Sequence, residues 1–191
     1  MRLNHKSSLL LIVDLQAGLL PVVDGGMQAV CEAGWLAGVA DLVGVPVWVT
    51  EQAPEKIGSS APELLEALGE YELFHKQHFS AMEEASFCDA LTAAKVSQIV
   101  ICGSEAHVCV LQTALGLLAA GYRVYWLSEA SASRRPEEAR LARERAVTGG
   151  AVSITADMAA YEWLERCDTP IFRQAHRQFL KHRSARPLTF F

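Results

Sequence analysis

Long apolar runs are missing from this chain. Residues 9–13 form the first strongly apolar stretch, and five residues are too few for a signal-peptide core or a membrane span. Paired cysteines are missing too. The five cysteines, Cys31, Cys88, Cys102, Cys109 and Cys167, are odd in number and scattered. No CxxC pair occurs and no Cys/His spacing suits zinc, so a reducing, cytoplasmic setting is expected rather than a disulfide framework. Nor is there an excess of positive charge. The formal net charge is −5, so nucleic acid and anionic membrane are not expected partners. Repeats and low-complexity segments are absent.

What remains is a globular chain. Its 191 residues are 51% hydrophobic, enough for one well-cored domain spanning 1–191 and too few for two. Short apolar runs alternate with longer amphipathic ones. The runs predict strands over 9–13, 45–50, 72–75, 98–102, 122–127 and 151–154. Helices are predicted over 27–43, 62–68, 87–95, 107–120 and 136–148. Gly44, Gly121 and Gly149-Gly150 stand where helices end, and Pro62 and Pro136 suit first turns. Near-continuous apolar strands separated by helices imply an α/β fold, three layers deep, around a mostly parallel six-stranded sheet.

In such sheets ligands bind beyond the carboxyl ends of the strands, and three reactive side chains fall there. Asp14 follows the first strand directly, Lys76 follows the third, and Cys109 lies past the fourth in Gly103-Ser104-Glu105-Ala106-His107-Val108-Cys109. Should their strands be neighbours, a carboxylate, an ammonium and a thiol converge. A thiol in the first turn of a helix, beside a cation, is expected to lean toward the thiolate. A carboxylate in reach could take its proton and return it to a leaving amine, which is the chemistry of acyl transfer.

These segments resemble the isochorismatase-like family of cysteine hydrolases. The resemblance runs from about residue 9 to 161. It rests on Leu11-Ile12-Val13-Asp14-Leu15-Gln16, on His75-Lys76 with Phe79-Ser80-Ala81, and on the Gly103–Val110 turn followed by Thr113-Ala114. Gly121-Tyr122-Arg123-Val124 and Ser128-Glu129-Ala130 continue it. Within the family, the Glu105–Ala114 stretch and Val49-Thr50-Glu51-Gln52 are most similar to the isochorismatase domain-containing subgroup. The resemblance implies a Rossmann-like topology and an Asp–Lys–Cys triad of Asp14, Lys76 and Cys109. It also implies a non-proline cis peptide at Ser104–Glu105, with the N–H groups of Glu105 and Cys109 as oxyanion hole. Metal-binding relatives carry histidines after the second strand, where this chain reads Glu51-Gln52-Ala53-Pro54-Glu55-Lys56, so neither metal nor cofactor is expected.

The expected activity is therefore metal-independent cysteine hydrolysis, through a thioester, of a small amide, imide or carbamoyl-type substrate. Gln16, Gln52, Phe79 and His107 are expected to line its pocket. Two alternatives stand beside it: a thiol redox or sensing protein using Cys109, and a non-catalytic oligomeric interaction module. From Thr169 onward there are five basic residues and no acid. Ile171, Phe172, Ala175, Phe179 and Leu180 share one helical face, which predicts a docked helix over about 170–183. Five charges make a small footprint for a polyanion-binding arm. With Leu188, Thr189, Phe190 and Phe191 closing the chain, a homo-oligomer, dimer or higher, is expected.

Overall fold

The computed structural model describes residues 2–190; Met1 and Phe191 lie outside the described residues. Six strands, β1 (Ser8–Val13), β2 (Val47–Gln52), β3 (Glu72–Lys76), β4 (Gln98–Gly103), β5 (Arg123–Ser131) and β6 (Val152–Ile154), form one sheet in the order β3-β2-β1-β4-β5-β6. Every adjacent pair is parallel. Strand order therefore reverses between β1 and β4, and a crevice is expected above that junction.

Both faces of the sheet are covered, which is why β1, β2 and β4 are buried along their whole length. Alternate residues point to opposite layers. Leu10, Ile12, Val49 and Val100 pack toward α1 (Gly26–Val43), α3 (Pro62–Ala67) and α7 (Ala156–Leu164). Leu9, Leu11, Val13, Trp48, Ile99 and Ile101 pack toward α4 (Ala85–Ala94), α5 (Leu111–Ala119) and α6 (Pro136–Thr148). A short α2 (Pro54–Ile57) follows β2.

Sequence periodicity misplaces boundaries and misses two helices. Val45 lies in the turn that closes α1, not in β2: its N–H donates to Ala40 O (2.9 Å) as the chain turns through left-handed Gly44. The fifth strand runs on to Ser131. The helix expected over 107–120 opens as a wide π-type turn, Ala106–Val110, before α5. The helices missed are the short α2 and α7; Thr155 caps α7, its hydroxyl accepting from Met158 N (3.2 Å).

A continuous helical segment ends the chain: α8 (Pro170–Ala175), a π-type turn His176–Leu180, and α9 (Lys181–Arg183). It lies on α1. Gly38 makes room for the Phe179 ring, since a Cβ at Gly38 would lie 2.4 Å from Phe179 Cε1. Arg183 anchors its far end in a buried cluster, bonding Glu32 (2.7 Å), Glu129 (2.8 Å) and Asp157 (2.6 Å) while its guanidinium lies 4.6 Å above the Trp35 ring.

Candidate active site

The strand ends bring Asp14, Lys76 and Cys109 together. Asp14 leaves β1 in the left-handed region (φ 51°), a conformation Asp tolerates better than most residues. Its N–H donates to Thr50 O (3.1 Å), and Oδ1 accepts from the Thr50 hydroxyl (2.7 Å). Lys76 is not on a neighbouring strand: β2 lies between β3 and β1. Its side chain crosses the end of β2, toward a strand roughly 10 Å away at two strand spacings, and places Nζ 2.7 Å from Asp14 Oδ2. Gln52 Oε1 accepts from Nζ on the way (2.7 Å), as do the carbonyls of His78 (3.3 Å) and Phe79 (3.2 Å). A buried ammonium demands such partners, because stripping its water without them is very costly.

Cys109 reaches the site from the other side of the strand reversal, in the turn after β4. Gly103 permits the approach of β4 to β1. Its φ is 133°, and a Cβ there would sit 1.9 Å from Val13 O. Ser104 then ties the turn to β1, donating N–H to Val13 O (2.9 Å) and Oγ to Asp14 O (2.8 Å). The Ser104–Glu105 peptide is cis. Past it, Val108 N and Val110 N both donate to Glu105 O (3.0 and 3.3 Å), while the Cys109 N–H between them does not. Among the described residues no backbone carbonyl accepts from Glu105 N–H either.

The thiol is 6% exposed and within hydrogen-bonding reach of both Asp14 and Lys76. Burial and the Asp14 carboxylate push its pKa up to about 12, and Lys76 offsets only part of that. This corrects the expectation of a resting thiolate. The helix start and the cation are present, but desolvation outweighs them, so Cys109 rests as S–H beside a carboxylate.

A second seam holds the turn. Ala106 N donates to Ala132 O (2.8 Å), His107 N to Ser133 Oγ (3.3 Å), and Arg134 N to Glu105 Oε2 (3.0 Å). The Arg134 guanidinium also grips the Glu105 carboxylate and holds its pKa below the usual range.

The four residues expected to line a pocket divide. Gln16 is fully buried and spent on the backbone of the 52–58 loop: Nε2 donates to Gln52 O (3.0 Å) and Gly58 O (2.5 Å), and Oε1 accepts from Gln52 N (2.7 Å). Gln52 clamps Lys76. His107 is half-buried, with Nδ1 2.9 Å from Ser133 Oγ and Nε2 3.6 Å from Glu138 Oε2. Phe79 alone of the four lines an open cavity of about 610 Å³, alongside His78, Ser80, Gln112, Leu115 and Gly116. Sequence reading missed Thr50 as the partner of Asp14, although a hydroxyl at the end of an apolar strand was a usable signal. Arg134 gave none, being 29 residues from Glu105. Among the described residues no three His, Cys, Asp or Glu side chains are grouped to hold a metal ion, and no helix is long and apolar enough to cross a membrane.

A family model for the isochorismatase domain matches residues 8–158. The chain is 31% identical over 191 residues to a secreted isochorismatase effector of Phytophthora sojae, covering 95% of this chain and 88% of that one. It is 31% identical over 176 residues to isochorismatase domain-containing protein 2A of Mus musculus, covering 92% and 84%. Among solved structures, one described as MAR1 ribonuclease from Caenorhabditis elegans superposes with a TM-score of 0.89 at 29% identity, over 100% of both chains.

Proposed function

The chain belongs to the isochorismatase family, and on that premise we propose that it is a metal-independent cysteine hydrolase of small amides, imides or carbamoyl compounds. One observation carries the reading. A protonated, desolvated thiol lies within hydrogen-bonding reach of a carboxylate that is itself fixed by a buried ammonium.

Such a thiol needs a base at the moment of attack, and Asp14 is that base. Asp14 takes the Sγ proton as sulfur bonds to the substrate carbonyl carbon. The carbonyl π electrons move to oxygen, and the N–H groups of Glu105 and Cys109 receive the oxyanion. As the C–N bond breaks, Asp14 returns the proton to the departing nitrogen and a thioester remains. A water molecule deprotonated by Asp14 then attacks the thioester, releasing the acid and restoring the thiol. Lys76, 2.7 Å from Asp14 Oδ2, holds the carboxylate oriented toward the thiol. Thr50 and Gln52 are positioning residues for Asp14 and Lys76.

The redox alternative is disfavoured by Cys102, the thiol nearest in sequence, which is fully buried in β4 and whose pKa burial pushes up. A shared fold does not transfer the ribonuclease name carried by the nematode protein. Five unpaired cysteines suit a reducing compartment such as the cytoplasm. Exposed Val22, Met27 and Phe79 favour a homo-oligomer.

The test is a panel of primary amides, cyclic imides, carbamoyl compounds and a short RNA, followed by ammonia, acid or fragment release. Cys109→Ala serves as control. Turnover of a C–N substrate that vanishes in the variant is the expected result. Activity that survives Cys109→Ala, or RNA cleavage alone, would overturn the reading.

A further inference from the structure

On the face away from the strand ends, α7 and α8 enclose a second cleft of about 490 Å³, lined by Tyr161, Phe172, Arg173, His176 and Arg177. Its rings form a short row. Tyr161 and Phe172 have centroids 6.3 Å apart with their planes tilted by 54°, and Phe172 and His176 stack at 6.1 Å with 27° between their planes. Tyr161, at the end of the row, is 51% exposed. Arg173 and Arg177, one helical turn apart, border it.

The two guanidiniums differ from others in the same basic tail. Arg183 and Arg186 are paired with Glu32, Glu129 and Asp157. Among the described residues neither Arg173 nor Arg177 has a carboxylate within ion-pair distance; Arg173 donates to the backbone carbonyl of Asp168 (3.2 Å) and feels its carboxylate only through space. The nearby acid Asp168 is engaged by Arg166 (2.9 Å), and no acid lines the cleft. The site therefore joins a partly exposed row of rings to planar cations that lack an ion-pair partner, groups suited to a flat heterocycle and to a phosphate.

We propose that this cleft binds a free nucleoside monophosphate, the base packing on the Tyr161 ring and the phosphate held by Arg173 and Arg177. Its volume suits one such ligand. A polynucleotide would need cations along a track, whereas this pair is isolated on a chain of net charge −5. The site is separate from Cys109 and independent of the hydrolase reading.

Binding of AMP to the full-length protein, measured by titration calorimetry, tests it. AMP is expected to bind in the sub-millimolar range, equally well to Cys109→Ala. Affinity should fall at least ~10-fold in Arg173→Ala/Arg177→Ala and ~5-fold or more in Tyr161→Ala. Adenosine and inorganic phosphate should each bind far more weakly than AMP. All three substituted side chains are exposed, so folding is expected to persist, with circular dichroism as the check. The proposal is overturned by any of five results: no AMP binding at 5 mM ligand, on the order of the weakest useful affinity; binding unaffected by these variants; loss of binding in Cys109→Ala; phosphate binding as tightly as AMP; or decaadenylate binding ~100-fold tighter than AMP, which would mark a polynucleotide surface. A change of oligomeric state in Tyr161→Ala by light scattering would likewise overturn it, because the cleft would then be an interface between copies.

Discussion

Two buried ionic clusters in this molecule look alike by composition and differ in what they leave free. At the strand ends, Asp14 and Lys76 balance one to one; Thr50 bonds Asp14 Oδ1 and Gln52 bonds Lys76, which leaves Asp14 Oδ2 beside the ammonium with no hydrogen-bond partner. Under the C-terminal helix, Arg183 and Arg186 face Glu32, Glu129 and Asp157. There the acids are in excess. Glu129 Oε2 has no hydrogen-bond partner, and burial raises the Glu129 pKa. The first cluster is neutral in itself and presents a carboxylate to a thiol; the second closes over itself and fixes a helix. Buried charge alone therefore does not mark a reactive site. A nucleophile at the edge of the cluster does.

The largest effect that would break this contrast is on turnover. Asp14→Asn removes the base and keeps the shape, so the acylation rate should fall ~1000-fold or more, and adding Lys76→Ala should cost little further, as for groups acting as a unit. Rapid-quench detection of the acyl-enzyme by mass spectrometry measures it. Modest, additive losses would make the two clusters equivalent.

Next is stability. Arg183→Ala strands buried carboxylates and should cost about 3–5 kcal/mol in urea unfolding, with turnover per folded molecule unchanged. An activity loss without a stability loss would show that the second cluster communicates with the first.

Alkylation sharpens the account of Cys109. Its pKa near 12 means that exposed Cys31 and Cys167 should react with iodoacetamide first at neutral pH. The Cys109 rate should climb with every step in pH up to about 12, since the reactive thiolate gains population throughout that range. Asp14→Asn, which removes the charge that raises the pKa, should speed labelling at pH 8 by roughly 10-fold, and Lys76→Ala should slow it. The two responses have opposite signs, which a general loosening of the site could not produce.

The smallest effect concerns Glu129. A carboxyl whose folded pKa lies above its unfolded one stabilises at low pH, and that contribution is lost as pH rises through the folded pKa. Glu129→Gln should remove this downward slope above about pH 4.5, leaving stability at pH 5 within ~1 kcal/mol of the parent. Unfolding series at several pH values would detect a slope that persists.

The fold was legible because β1, β2 and β4 are buried on both faces and so read as unbroken apolar runs, with Gly and Pro marking the helix ends. Of the proposed site residues, Asp14 was legible as the polar residue directly after β1, Lys76 as the charged end of β3, and Cys109 from its place in the turn after β4. Their arrangement was not. That Lys76 bridges a whole intervening strand depends on sheet order, and that Gln52 serves it follows from register, which pairs Gln52 with Lys76. Gln16 read as pocket lining because a polar residue after a strand looks available, yet the 52–58 loop consumes every polar atom of its side chain except spare lone pairs. The state of the thiol was also hidden. Helix position is written in the sequence, but desolvation is settled only once the layers close. Glu32 and Arg183, 151 residues apart, were beyond any local pattern.

Gly103 has a consequence for how this site tolerates change. Asp14 follows one strand and Cys109 the next, and at the joint between those strands there is no clearance: one added methyl would overlap Val13 O at 1.9 Å. Such a methyl would act as a wedge, prising β4 from β1 and parting Sγ from the carboxylate by the same opening. A position with no reactive atom of its own thereby sets the gauge of the reaction, and drift there would silence the chemistry while every reactive side chain stayed in the sequence.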